Sequence, residues 1–165
     1  MSEKILDRAT LLARVAEARA SGKRVALTNG VFDLLHVGHV RSIRAAARLA
    51  DVLIVALNAD ASVRQLKGPG RPIVSERHRA EVIAALEGVT WVTLFDEVDV
   101  APLLRAVRPD IHAKGADYRG QPMREPSCVE DWGGRFVLVG GGPDSTTAMI
   151  ARAAASLAQD VNDAR

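Results

Sequence analysis

A chain of 165 residues, 48% of them hydrophobic, can bury roughly 70% of its unfolded surface in one domain without disulfide or metal staples. Its 22 basic and 20 acidic residues leave a net charge of +2 with no long run of one sign, which argues against a dedicated nucleic-acid surface. The single cysteine, Cys128, excludes an internal disulfide and reads as an ordinary thiol, so a reducing cytoplasm is the expected compartment.

The first 22 residues alternate charged with apolar side chains and lack the apolar stretch of a signal peptide. Leu11, Leu12, Val15 and Ala18 are spaced for an amphipathic helix over Thr10–Ala20, expected to pack on the domain that follows. No segment approaches the uninterrupted apolar length of a membrane span. From residue 23 to 160, short apolar runs alternate with helical patterns, and residues 161–165 read as a tail. The runs predict strands at Arg24–Thr28, Val52–Leu57, Trp91–Phe95, Asp110–Ala113 and Phe136–Val139. Between and beyond them, helices are predicted at Val40–Ala50, Asp60–Leu66, Ser75–Leu86, Val100–Val107 and Thr146–Ala158. Ser75 is placed to cap its helix and Gly88 to close it. This alternation predicts an α/β fold: one doubly wound, Rossmann-like domain with a five-stranded, mainly parallel sheet covered by helices on both faces.

In such sheets ligands lie beyond the carboxyl ends of the strands, where strand order reverses. Four polar, glycine-marked segments fall just there: residues 28–39, 58–60, 114–118 and 140–147. The first, TNGVFDLLHVGH, runs from Thr28 to His39 and reads as strand, tight loop and helix start. Backbone N–H groups at a helix start lack intrahelical partners and carry the positive end of the macrodipole, so they suit phosphate. Gly30 and Gly38 allow close approach of the backbone, and His36 and His39 add donors. GGGPDSTT, Gly140 to Thr147, offers a second anion site before the last helix, with Asp144 or Ser145 as cap and Thr146 and Thr147 as donors. Between them, the glycines, prolines and cations of residues 65–72 read as a mobile flap carrying Lys67 and Arg71 toward a polyphosphate. For each of these motifs a surface turn or a routine cap is the plainer alternative.

TNGVFDLLHVGH resembles the nucleotidyltransferase signature of the cytidylyltransferase-like superfamily. With NADAS at 58–62, LKG at 66–68, Arg71-Pro72, AKGADY at 113–118 and the STT at 145–147, the chain is similar to one branch of it, the bacterial D-glycero-β-D-manno-heptose 1-phosphate adenylyltransferases. The similarity covers about Val25 to Ala155, and departs from the branch at Ala116 and at the Gly140–Pro143 loop. It implies transfer of AMP from ATP to a sugar 1-phosphate, giving an ADP-sugar and pyrophosphate, with Mg²⁺ on the triphosphate. By this resemblance His36, His39, Lys67 and Arg79 act on the phosphates. Thr28, Asn29, Gly30, Val31, Phe32, Gly38, Lys114, Ser145, Thr146 and Thr147 would border the nucleotide, and Asp33 would orient a histidine or lie near the metal. Asn58, Asp60, Lys67, Arg71, Lys114, Asp117 and Tyr118 would meet the substrate, the carboxylates suiting hydroxyls and Lys114 the phosphate. A homodimer and a separate sugar kinase upstream are further implications. A cytidylyltransferase acting on a polyol or amino-alcohol phosphate, and a nucleotide-binding protein without turnover, are the two alternative readings.

Overall fold

The computed structural model describes residues 2–122, 125–140 and 145–163, with backbone alone after residue 156. Five strands form one parallel sheet in the order β3-β2-β1-β4-β5. They are β1 (Val25–Gly30), β2 (Val52–Asn58), β3 (Trp91–Phe95), β4 (Ile111–Gly115) and β5 (Arg135–Val139). Each pairs in parallel with its neighbour, β1 lying between β2 and β4. The chain order reverses between β1 and β4, so the loops leaving those two strands flank the switch point.

Alternate residues of the central strands feed two separate cores, as the period of two requires. Val25, Leu27, Val52, Ile54 and Ala56 face one layer, packed against Leu11 and Val15 of α1 (Arg8–Ala20) and Leu103, Leu104 and Val107 of α5 (Ala101–Val107). Val129 and Cys128 of α6 (Glu125–Glu130) join that layer, and burial pushes the Cys128 thiol upward, away from the thiolate. Ala26, Leu53, Val55 and Leu57 face the other layer, with Ile43 and Ala46 of α2 (Val37–Ala47) and Ala80 and Ile83 of α4 (Glu76–Ala84). Two further helices, α3 (Asp60–Lys67) and α7 (Thr146–Asp163), follow β2 and β5. Among the described residues no helix is long and apolar enough to cross a membrane.

Most strands match the expected spans within a residue or two, while the helix ends differ for local reasons. Helix α2 starts at Val37 rather than Val40, which brings Gly38 and His39 into its first turn and leaves His36 at the N-cap. Helix α4 stops at Ala84, so Gly88 lies beyond it in a turn, at φ +86°, pressed against Ala47. Ser75 stands at the N-cap of α4, yet its side chain makes no capping bond. Helix α7 runs to Asp163, so residues 161–163 continue it instead of forming a tail; Ala164 and Arg165 lie outside the described residues.

Candidate functional site

The carboxyl end of β1 turns through Phe32, whose φ of +50° places a bulky residue in the left-handed region. That conformation costs on the order of 1–3 kcal/mol and persists only where surrounding contacts enforce it. Here the ring is folded back over Gly30, where a Cβ would sit 3.0 Å from Phe32 Cε2. The same ring stands edge-on to His39, with centroids 5.1 Å apart. His39 in turn stacks on His36 at 3.8 Å. The Nδ1 atoms of both imidazoles are buried without a hydrogen-bond partner among the described residues. Buried polar atoms are rarely left so unless a ligand or water completes them.

Around this pair lies a cleft of about 210 Å³. The free N–H groups of the first turn of α2 open onto it, since the first intrahelical bond there is donated by Val40 to the His36 carbonyl. Opposite stands the start of α7. Ser145 Oγ accepts from the Ala148 amide at 3.1 Å, and Thr146 Oγ1 donates to the Leu34 carbonyl at 3.0 Å, tying the two helix starts together. Gly140, at φ +56°, lets β5 end directly against Ser42, where a Cβ would lie 2.7 Å from the Ser42 Cα. Two helix N-termini thus converge on one cavity with two imidazoles between them, which is an arrangement for a chain of phosphates. Asp144 and residues 141–143, expected to precede this cap, lie outside the described residues.

A second cleft, of about 380 Å³, adjoins the first and shares Asn29, Gly30, Val31, Lys67 and Tyr118 with it. Its far wall carries Asn58, Asp99, Lys114 and Glu125. Lys114 is buried, 3.5 Å from Glu125 and 4.3 Å above the Tyr118 ring. Burial pulls its ammonium below the ordinary lysine range, with Glu125 pulling the other way, and burial raises Tyr118. Asp117 borders the first cleft instead, its carboxylate filling the space a side chain on Gly115 would need.

Three expected ligand residues make their bonds within the protein. Arg79 is 1% exposed and borders neither cleft. Its guanidinium donates to the carbonyls of Val74, Val31 and Asn58 and pairs with Asp60 Oδ1 at 2.6 Å. The family resemblance placed Arg79 near the phosphates; in the fold it ties together the loops after β1 and β2. Asp60, the expected hydroxyl reader, is its counter-ion. Asp33 lines the first cleft, but its carboxylate accepts from the amides of Ile73 and Val74 and from Arg71 Nε at 2.6 Å, and no histidine is among these partners. Burial opposes its charge, but the Val74 and Ile73 amides and Arg71 outweigh that and hold the carboxyl below the usual range. Asp33 therefore pins the flap, including the cis Arg71–Pro72 peptide, beside the cleft. Lys67, at the exposed end of α3, borders both clefts, and Arg71 borders the first. Thr28, Asn29, Val31, Phe32, Gly38 and Thr147 line the first cleft as well.

Some lining residues escaped the sequence reading. Ser42 lies three residues after His39, the spacing that shares a helix face, so its place was inferable. Asp99 and Glu125 come from segments with no motif. Behind the lining, His112 of β4 places Nε2 3.0 Å from Asn29 Oδ1.

The half-buried His39 and the buried His112 give the site a pH signature. Burial, then the charge of His36, holds His39 at about 4, and burial, then Lys114, holds His112 at about 3. Unfolded, both titrate near 6.5. Below that value the unfolded chain takes up protons that the folded chain refuses, so stability is complete above about pH 6.5 and is lost as pH falls toward about 4. Thermal midpoints measured from about pH 7.5 down to about pH 4.5 should decline through this window. A midpoint unchanged to about pH 5 would contradict buried neutral imidazoles.

The doubly wound sheet, with stacked histidines and two helix starts at its switch point, defines a Rossmann-like nucleotidyltransferase fold. The chain belongs to the cytidylyltransferase-like family, whose model matches residues 27–134. It is 45% identical over 155 residues to the bifunctional protein HldE of Methylobacillus flagellatus, covering 94% of this chain and 32% of that protein. With the HldE of Syntrophotalea carbinolica the identity is 49% over 121 residues, covering 73% of this chain and 25% of the relative. The chain thus spans about a third or less of the length of these curated relatives. Among solved structures, the lipopolysaccharide core biosynthesis protein from Thermoplasma volcanium superposes with a TM-score of 0.64 at 28% identity, covering 73% of this chain and 99% of that one. A pantoate-beta-alanine ligase from Francisella tularensis, at 16% identity and a TM-score of 0.59, shares the fold.

Proposed function

We propose that this chain transfers AMP from ATP to a sugar 1-phosphate, releasing pyrophosphate and an ADP-sugar, with D-glycero-β-D-manno-heptose 1-phosphate as acceptor. The observation that carries this reading is the pair of adjoining clefts, one built for a chain of phosphates and the other lined by a buried cation, carboxylates and an amide. An acceptor phosphate already carries a nucleophilic oxygen, so no covalent intermediate on the protein is required. That oxygen attacks the α-phosphorus of ATP, the bond from the α-phosphorus to the bridging oxygen breaks, and pyrophosphate leaves with that oxygen. The protein's work is to align the two phosphates and to meet the charge that develops.

In this reading His36, His39 and the N–H groups of α2 and α7 hold the triphosphate, while Lys67, at the border of both clefts, meets the α-phosphoryl group. Arg71, on the flap pinned by Asp33, adds charge at the rim. Lys114 takes the acceptor phosphate, and Asn58, Asp99, Glu125 and Tyr118 meet hydroxyls. Among the described residues no group of three carboxylate, histidine or cysteine side chains is arranged to hold a metal, and Asp33 is fully engaged. In this reading Mg²⁺ enters with the ATP substrate, carried chiefly by phosphate oxygens and water. The heptose assignment is supported by the branch motifs and by the likeness to the HldE proteins. Their bifunctional name and unmatched length suit a sugar kinase activity carried by a separate segment, with this chain working as a homodimer.

Pyrophosphate release, followed for ATP, CTP, GTP and UTP against a panel of sugar 1-phosphates, polyol phosphates and amino-alcohol phosphates, tests the reading. ATP with the heptose 1-phosphate should give the highest kcat/KM. A preference for CTP with a polyol phosphate would replace the acceptor assignment, and nucleotide binding without turnover for any pair would overturn it.

A further inference from the structure

His112 lies at the centre of the sheet, on β4 beside β1, and is 0% exposed. Its ring meets the edge of Phe136 at 5.6 Å on one side, and Nε2 sits 3.0 Å from Asn29 Oδ1 on the other. Nδ1 is buried with no hydrogen-bond partner among the described residues. A fully buried polar side chain is costly unless its bond serves a purpose.

The proton's place follows from what is left bare. A neutral imidazole carries one N–H and one lone pair. If the proton were on Nδ1, a buried donor would be orphaned, whereas a proton on Nε2 leaves only a lone pair at Nδ1; orphaned donors are the rarer of the two. Nε2–H therefore donates to Asn29 Oδ1. Fixing that oxygen toward β4 turns the two N–H donors of the Asn29 amide the other way. Asn29 borders both clefts, at the junction they share with Gly30, Val31 and Lys67.

We propose that His112 is a positioning residue: through its bond to Asn29 it locks that carboxamide with its N–H donors facing the junction of the two clefts, where a phosphoryl group passes between ligands. The proposal rests on the nucleotidyl-transfer reading, in which Asn29 touches the substrate and His112 acts only through it. Burial supports the geometry, since it keeps the imidazole neutral across the physiological range.

Two measurements test it. Heteronuclear NMR of the ¹⁵N-histidine-labelled protein without ligand should show His112 protonated at Nε2 and bare at Nδ1 at neutral pH; a proton at Nδ1 overturns the assignment, whatever the enzyme's activity proves to be. A double-mutant cycle then tests the coupling. Asn29→Ala and His112→Leu should each lower kcat by roughly 10-fold to 10²-fold, the scale of a misplaced group, with a smaller change in nucleotide KM. His112→Leu added to Asn29→Ala should cost little more, and His112→Gln, which keeps a donor, should recover part of the loss. Independent, multiplying losses would make His112 a core residue only. The affinity for ATP, read by calorimetry on the same four proteins, shows the same coupling if turnover with the chosen acceptor is absent.

Discussion

Replacing His39 by Ala should lower turnover by roughly 10² or more, the scale of losing one preorganised donor in a water-poor site, with a smaller effect on acceptor KM. The reason lies in how the imidazole is held. It stacks on His36, meets the edge of Phe32 and projects into the cleft between two helix starts, so its orientation is fixed before any ligand arrives. Preorganisation of this kind acts on the transition state more than on binding. The depressed pKa of about 4 adds a second observable. The negative charge of a triphosphate brought against His39 favours the imidazolium and offsets that depression, so nucleotide binding near about pH 5.5 should take up protons, seen as a dependence of the calorimetric heat on buffer ionisation enthalpy. A His39→Ala protein with parental turnover would remove the histidine pair from the mechanism.

Arg79→Met should act on a different quantity, stability. The guanidinium satisfies three carbonyls and the Asp60 carboxylate while itself fully buried, and breaking such a buried set by removing one partner costs about 3–5 kcal/mol. For a chain of this size that amounts to a fall of roughly 10 °C in Tm. Loss of activity should follow only because the loops carrying Val31 and Asn58 lose their tie. If the variant melts with the parent while ATP affinity collapses, Arg79 reaches the phosphates after all, as the resemblance implied.

Arg79 also shows where sequence ends and structure begins. A residue's spacing within a helix assigns it a face, but which face is inward depends on the tertiary packing, and α4 turns Arg79 into the core beside Ala80 and Ile83. Asp33 is a similar case: the resemblance implied that it orients a histidine or lies near the metal, whereas its carboxylate is bonded to Ile73, Val74 and Arg71, some 40 residues along the chain. By contrast, the strands, the switch point and the clustering of Thr28–His39 with Ser145–Thr147 were legible, because apolar periodicity and glycine placement are local signals. Helix α6 and the acidic residues of the second cleft were not, since Glu125 follows a segment without periodicity and Asp99 gains meaning only from what lies across the cavity. His112 hid for a different reason: just ahead of the AKGADY motif it belongs to no pattern of its own, and only the register of β4 against β1 puts it beside Asn29.

The most direct test follows one oxygen. With sugar 1-phosphate labelled with ¹⁸O at the non-bridging positions, and unlabelled ATP, direct attack of the acceptor phosphate on the α-phosphorus puts label in the bridge of the ADP-sugar and none in the pyrophosphate. Mass and ³¹P NMR analysis of the two products should show that pattern. Label in the pyrophosphate, or a diphosphate bridge free of label, would contradict attack of the acceptor phosphate on the α-phosphorus.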